Sequence, residues 1–201
     1  LITTRADIIQ ELEGEAKRVH ERLTGSAEVL RLVYQPSYDP LPAPQGQFAL
    51  PMPVQVHRTG LTQEKVKQGF ITRLSEVRTE EIARGITTIG PHRDEMRIFC
   101  NGIDLTDFGS RGQIRTALLS LKLAEVNWLH QKTGQWPVLL LDETLAELDT
   151  QRRAYLLDYL DNAEQVLLTT TDMNLFPHDF RDKCERWQVA DGNVEKLAAE
   201  D

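Results

Sequence analysis

The stretch from Pro137 to Thr169 constrains the fold more than any other part of the chain. Val138-Leu139-Leu140-Leu141 is an unbroken aliphatic run of the kind found in a strand covered on both faces, and Pro137 stops any helix arriving from upstream. A helical pattern around Arg152–Leu160 follows, and then a second apolar run, Val166–Thr169. Strand, helix and strand in this order form a βαβ unit, which implies a parallel sheet and places the chain in the α/β class.

Other elements can be read around that unit. Ile8, Leu12, Ala16, Val19 and Leu23 recur at helical spacing between Thr4 and Leu23, and Gly25 marks a stop. Glu28 to Tyr34 reads as a strand. Pro36, Pro40, Pro42, Pro44, Pro51 and Pro53 then make residues 36–53 a loop or insertion. A second helix is expected from Thr62, a good N-cap, with Leu61 stapled onto Val66, a buried stripe of Val66, Phe70, Leu74 and Val77, and Gly85 at its end. These features define a partly helical lobe over about residues 1–85. From residue 86 onward the texture changes. Ile86–Ile89 and Met96–Cys100 read as strands, with Asn101-Gly102 as a type I′ hairpin turn. Gln113–Gln131 is helical, with Ile114, Leu118, Leu121, Ala124 and Trp128 on one face. Arg186–Ala190 and Val194–Leu197 form a closing hairpin around Asp191-Gly192.

Composition bounds the function classes. With 201 residues, 40% hydrophobic and 27% charged, the chain is an ordinary globular one, and no stretch approaches the roughly 18 apolar residues of a membrane span. Cys100 and Cys184 lack CxxC spacing and any nearby metal-ligand set, so free thiols in a reducing cytoplasm are expected. A net charge of −8 disfavours whole-surface attraction to nucleic acid, and any DNA contact must come from a local basic patch or a groove made by dimerisation. Leu1 opens directly into a helical pattern without an initiating Met, which suggests a piece of a longer protein whose isolated sheet edges would make it poorly soluble.

The aliphatic run delivers Asp142 and Glu143 to a strand's C-terminal end, where open α/β sheets place their ligands. Asp142 could hold Mg²⁺ and Glu143 could polarise the water that attacks a γ-phosphate; alternatively, the acids only solvate the strand end. Gly109-Ser110-Arg111-Gly112-Gln113 precedes a helix, so its glycines, the Ser110 hydroxyl and free N–H groups could face a phosphate, or it is a plain glycine turn with a Ser cap. Ala146-Glu147-Leu148-Asp149 lies where nucleotide-clamping ATPases have a D-loop, and also reads as a capped helix start. Thr169-Thr170-Thr171-Asp172 lies where a γ-phosphate sensor would stand, with Thr171 and Asp172 in place of the His common in transporters. His92-Arg93 could contact phosphate, or Arg93 could pair with the adjacent Asp94. The basic residues Lys65, Lys67, Arg73 and Arg78 alternate with acids and read as a solvated helix face.

In order and spacing, Gly90-Pro91-His92-Arg93-Asp94, Gly109-Ser110-Arg111-Gly112-Gln113, Leu121-Lys122-Leu123-Ala124-Glu125, Leu140-Leu141-Asp142-Glu143, Glu147-Leu148-Asp149 and Thr169-Thr170-Thr171-Asp172 resemble the RecF family. The resemblance runs from about residue 86 to 195 and is looser before it. It implies the C-terminal half of an SMC/ABC-type ATPase head, a partly parallel sheet flanked by helices over residues 86–201, preceded by an inserted lobe. It further implies a bacterial, nucleoid-associated protein of replication, recombinational repair and the SOS response. Such a protein forms an ATP-dependent homodimer that binds single-stranded and duplex DNA at gaps and loads recombinase with RecR and RecO. In that frame ATP and Mg²⁺ are the cofactors and Asp142 serves Mg²⁺. Glu143 is the hydrolytic base, and Ser110, Arg111, Gly112, Gln113 and Thr171 face nucleotide, while Asp149 couples the subunits. The family usually shows Gln where Arg111 stands and a second Asp where Glu143 stands. No G-x-x-x-x-G-K-[ST] occurs, so the chain alone is expected to bind ATP weakly. Two rival readings are a non-catalytic binding module and another SMC/ABC-type head.

Overall fold

The computed structural model describes residues 1–41 and 61–197, so most of the proline-rich segment expected over 36–53 lies outside the described residues. The chain packs as two compact units, Leu1–Gln135 and Trp136–Asp201.

The first unit is organised by two long helices, α1 (Ile2–Leu23) and α4 (Arg111–Thr133), which pack along each other. Small side chains at the contact, Ala16 on α1 and Ala117 and Ala124 on α4, are at most 1% exposed and bring the helices close. Beside them, β1 (Leu30–Gln35) pairs antiparallel with β2 (Glu95–Cys100), whose other edge pairs with β3 (Ile103–Asp104). Leu30, Leu32 and Tyr34 alternate inward along β1, and Leu30, Leu32, Cys100 and Leu105 join the alanines in one core. The turn between β2 and β3 is the expected one: Asn101 and Gly102 have φ of 49° and 81°, the left-handed pair a type I′ hairpin demands. A short helix, α3 (Leu105–Phe108), leads into Gly109.

Three sequence expectations for this unit change. Ile86–Ile89 is not a strand; the Glu81 carboxylate accepts from the Thr88 and Ile89 backbone N–H groups and ties the segment back to α2 (Gln63–Arg84). Of the expected α2 stripe, Val66 and Val77 are buried, whereas Leu74 is exposed. On α4, Leu118 is exposed, while Thr116 and Ser120 are buried because their hydroxyls have polar partners inside. The Thr62 cap does form, accepting from the Lys65 N–H, and Leu61 packs in the same small cluster as Val66.

The second unit holds the βαβ element. Parallel strands β4 (Leu139–Asp142) and β5 (Val166–Thr169) pair in register, with α5 (Thr150–Leu160) between them in sequence. Only one face of the pair is covered among the described residues: Leu139 is 7% exposed, but Leu140 and its register partner Leu167 are 71% and 52% exposed. The two-sided cover expected from the aliphatic run is therefore missing among the described residues, which supply a packing layer on one face only. A short helix, α6 (His178–Asp182), precedes the closing hairpin of β6 (Trp187–Ala190) and β7 (Asn193–Lys196), which turns at Asp191-Gly192. Among the described residues, no helix is long and apolar enough to cross a membrane.

The core at β1 is tight enough to test: Leu30→Ala should cost about 2–5 kcal/mol, read as a lower urea midpoint at unchanged slope.

Candidate functional site

At the end of β4 the backbone of Glu143 enters the left-handed region, with φ 49° and ψ 14°. A non-glycine residue there carries strain of about 1 kcal/mol or more, which the surrounding turn must hold. Thr169, the register partner of Asp142, supplies part of that hold. Its hydroxyl donates to the Asp142 carboxylate, and its oxygen accepts from the Glu143 N–H at 3.1 Å. The Ala146 N–H closes the following turn on the Glu143 carbonyl at 3.2 Å. Asp142 is exposed and Glu143 half-buried, so a carboxylate and a hydroxyl, both hard oxygen donors that suit Mg²⁺, meet at the strand end.

Leu145 and Leu148 are buried beneath the next segment, and Arg153 donates to both of their carbonyls, at 3.4 and 3.0 Å. Asp149 caps α5 by accepting from the Arg152 N–H at 2.9 Å and also pairs with the Arg152 guanidinium. That backbone bond first, and the guanidinium with it, hold its carboxyl below the ordinary Asp range. Thr171 is exposed in the bend after β5, and Asp172 caps the 3₁₀ turn Met173–Leu175. Sequence reasoning chose Thr171 as the threonine of interest. The one that touches Asp142 is Thr169, a residue that only the parallel register could single out.

In the first unit, Ser110 and Gln113 form a complete capping box at the start of α4. The Ser110 oxygen accepts from the Gln113 N–H and the Gln113 side-chain oxygen accepts from the Ser110 N–H, both at 3.2 Å. Arg111 and Gly112 are exposed in the first turn. The loop's glycines differ in purpose: a Cβ at Gly109 would meet the Leu105 carbonyl oxygen at 2.6 Å, whereas one at Gly112 would meet nothing within 4 Å. Gly109 thus serves packing, and Gly112 leaves open space at the helix start.

The Gly90–Asp94 turn is anchored by Asp94. Its side chain is 3% exposed and accepts from Tyr34 Oη at 2.6 Å, the Ser37 N–H at 2.9 Å and Arg5 at 2.8 Å. The ion partner of Asp94 is therefore Arg5, not its neighbour Arg93, whose Nε donates to the Thr87 carbonyl at 2.9 Å. His92 also turns to Thr87, its Nε2 lying 2.7 Å from the hydroxyl.

A further polar cluster lies beneath the capping box. His20 and Cys100 are fully buried, and one ligand-type atom each from His20, Glu28 and Cys100 lies within 4.8 Å of the others. The expectation that Cys100 has no ligand set near it changes accordingly, because residues 20, 28 and 100 carry no motif spacing and meet only on folding. Burial first, and then the Glu28 carboxylate, push the Cys100 thiol up to about 11.

No protein-family model matches the chain. Curated relatives do: it is 35% identical over 196 residues to "DNA replication and repair protein RecF" of Listeria welshimeri, covering 98% of this chain and 48% of the relative. To the same-named protein of Acetivibrio thermocellus it is 39% identical over 176 residues, covering 88% of this chain and 43% of the relative. The chain belongs to the RecF family. It matches the C-terminal portion of RecF and spans about half the length of these relatives. A solved structure of the recombination mediator protein RecF with ATPrS superposes with a TM-score of 0.74 at 27% identity, covering 98% of this chain and 46% of that one. The RecF–ATP structure gives 0.70 at 30% identity, with the same coverage. The α/β class and the SMC/ABC-type head architecture read from the sequence are those of this RecF fold.

Asp94 gives a pH-dependent prediction. Burial alone would raise its carboxyl, but the bonds from Tyr34, Ser37 and Arg5 outweigh that and hold it below the ordinary value. A carboxyl lowered on folding contributes stability that is complete above its unfolded value, about 3.9, and is lost as pH falls through the folded value. Acid melting curves should show this loss below about pH 4 and Asp94→Asn should remove it, costing about 1–3 kcal/mol at neutral pH.

Proposed function

We propose that this chain supplies half of a composite ATP site in a DNA repair protein, in which ATP holds two heads together on DNA. The observation that carries this reading is the end of β4, where Asp142 and Glu143 leave the strand side by side and Thr169 fixes the turn between them. The solved neighbours, RecF with ATP and with ATPrS in the RecFOR pathway, support ATP as the nucleotide and RecO and RecR as partners.

In this reading Asp142 serves Mg²⁺, which when bound neutralises charge on the transferring phosphoryl oxygens. Glu143, the left-handed residue at the strand end, takes the proton of the attacking water. Ser110, Arg111, Gly112 and Gln113 face the γ-phosphate held by the opposing head, where the open space at Gly112 permits a close backbone approach. Asp149 couples the heads and Thr171 lies near the nucleotide. The chain contains no G-x-x-x-x-G-K-[ST], so the phosphate cradle lies outside its 201 residues. The site acts in replication, recombinational repair and the SOS response, on gapped DNA in the bacterial cytoplasm.

The test is ATP turnover and ATP-dependent dimerisation of the full-length product with and without duplex DNA. Glu143→Gln should lower turnover by about a hundredfold or more while dimers persist. Ser110→Arg, which fills the phosphate approach, should abolish the dimers. No nucleotide dependence in the unmodified full-length protein would leave a non-catalytic binding module instead.

A further inference from the structure

The capping box at α4 is not self-sufficient. Gln113 can close it only with its side-chain oxygen toward the Ser110 N–H, yet an amide group can equally turn its NH₂ that way and leave the box open. Glu28 decides between the two. Its Oε1 lies 3.0 Å from Gln113 Nε2, and a carboxylate accepts only, so the NH₂ must face Glu28 and the carbonyl oxygen must face Ser110.

Glu28 is in turn held from the inside. Ser120 Oγ lies 2.7 Å from the Thr116 carbonyl and 2.9 Å from His20 Nδ1. The other ring nitrogen, Nε2, lies 3.2 Å from Glu28 Oε2, and contact with a carboxylate places a ring hydrogen there. A fully buried imidazole thus donates to a carboxylate that is 20% exposed. Burial alone would raise the Glu28 carboxyl, but the bonds from Gln113, Cys100 and His20 more than offset it. The chain Thr116, Ser120, His20, Glu28, Gln113, Ser110 runs from inside α4, across α1, back to the helix's own first turn.

We propose that Glu28 is a positioning residue for the phosphate-facing start of α4: backed by His20, it orients Gln113, which closes the cap on Ser110. This rests on the ATP-dimer reading above, because it is there that the Ser110 hydroxyl acts. With its oxygen accepting from the Gln113 N–H, that hydroxyl has its hydrogen available for an incoming phosphate oxygen. Without Glu28 the first turn frays, and Ser110 loses the orientation that a clamped nucleotide requires.

Two measurements test this, and they separate its failure from failure of the ATP reading. Amide hydrogen exchange on the full-length product needs no nucleotide. Glu28→Ala should speed exchange at the Ser110 and Gln113 N–H groups by about tenfold while Leu123, in the middle of α4, keeps its protection. A general loss of protection along α4, or no change at Ser110 and Gln113, overturns the proposal. In the full-length product, Glu28→Ala should weaken ATP-dependent dimerisation by about tenfold with monomer affinity for ATP unchanged, and Glu28→Asp, shorter but still an acceptor-only carboxylate, should recover part of it. Dimerisation unaffected by Glu28→Ala overturns the proposal. A wild-type protein that never dimerises with ATP overturns the ATP reading, and the exchange experiment still decides the role of Glu28.

Discussion

The close packing of α1 on α4 is the contact on which the first unit depends. Ala16, Ala117 and Ala124 remove bulk from the seam, and the small volume they leave is what lets His20 and Ser120 meet inside it at 2.9 Å. Larger residues at those alanines would separate the helices and leave a buried imidazole without its partner, a cost that a polar group in a protein interior rarely bears. Outer polar contacts continue the same seam toward solvent, where Trp128 and Lys132 on α4 both reach Glu11 on α1. The helix that begins at Ser110 is therefore seated on a scaffold far more rigid than its exposed first turn suggests.

In each unit the candidate residues are held by hydrogen bonds directed at backbone ends rather than by bulk. Ser110 and Gln113 satisfy the first N–H groups of α4, Asp149 those of α5, and Arg153 the carbonyls of Leu145 and Leu148. Thr169 does the equivalent at the strained Glu143 turn. Side chains held in this way stand at fixed positions while staying exposed, and preorganised charge stabilisation requires that geometry of any group that performs it. The Asp94 anchor under the Gly90–Asp94 turn follows the same logic, and it leaves His92 and Arg93 on the exposed side.

Charge and exposure fit a protein that works in contact with other surfaces. A net charge of −8 gives no general attraction to nucleic acid, so any contact with it would have to be local. Leu140 and Leu167, neighbours on the uncovered face of the parallel pair, form an apolar surface of the kind a further layer of an α/β head would cover.

The sequence by itself determined what depends on neighbours along the chain. Periodicity located α1, α4 and α5, the Asn101-Gly102 and Asp191-Gly192 pairs fixed their hairpins, and Ser110, Thr62 and Asp149 capped the helices they precede, because each of these needs only a few consecutive residues. The aliphatic run set the direction of β4 and so delivered Asp142 and Glu143 to its end. Tertiary structure alone decided the pairings between distant residues. Thr169 reaches Asp142 through a parallel register, Asp94 chooses Arg5 over adjacent Arg93, and Glu28 meets both His20 and Gln113. Polar side chains are ranked by which partner can desolvate with them, and that partner is known only once helices and strands have packed. The same reason explains the misread faces of α2 and α4: hydrophobic spacing marks what is able to be buried, and packing against a particular neighbour selects what is.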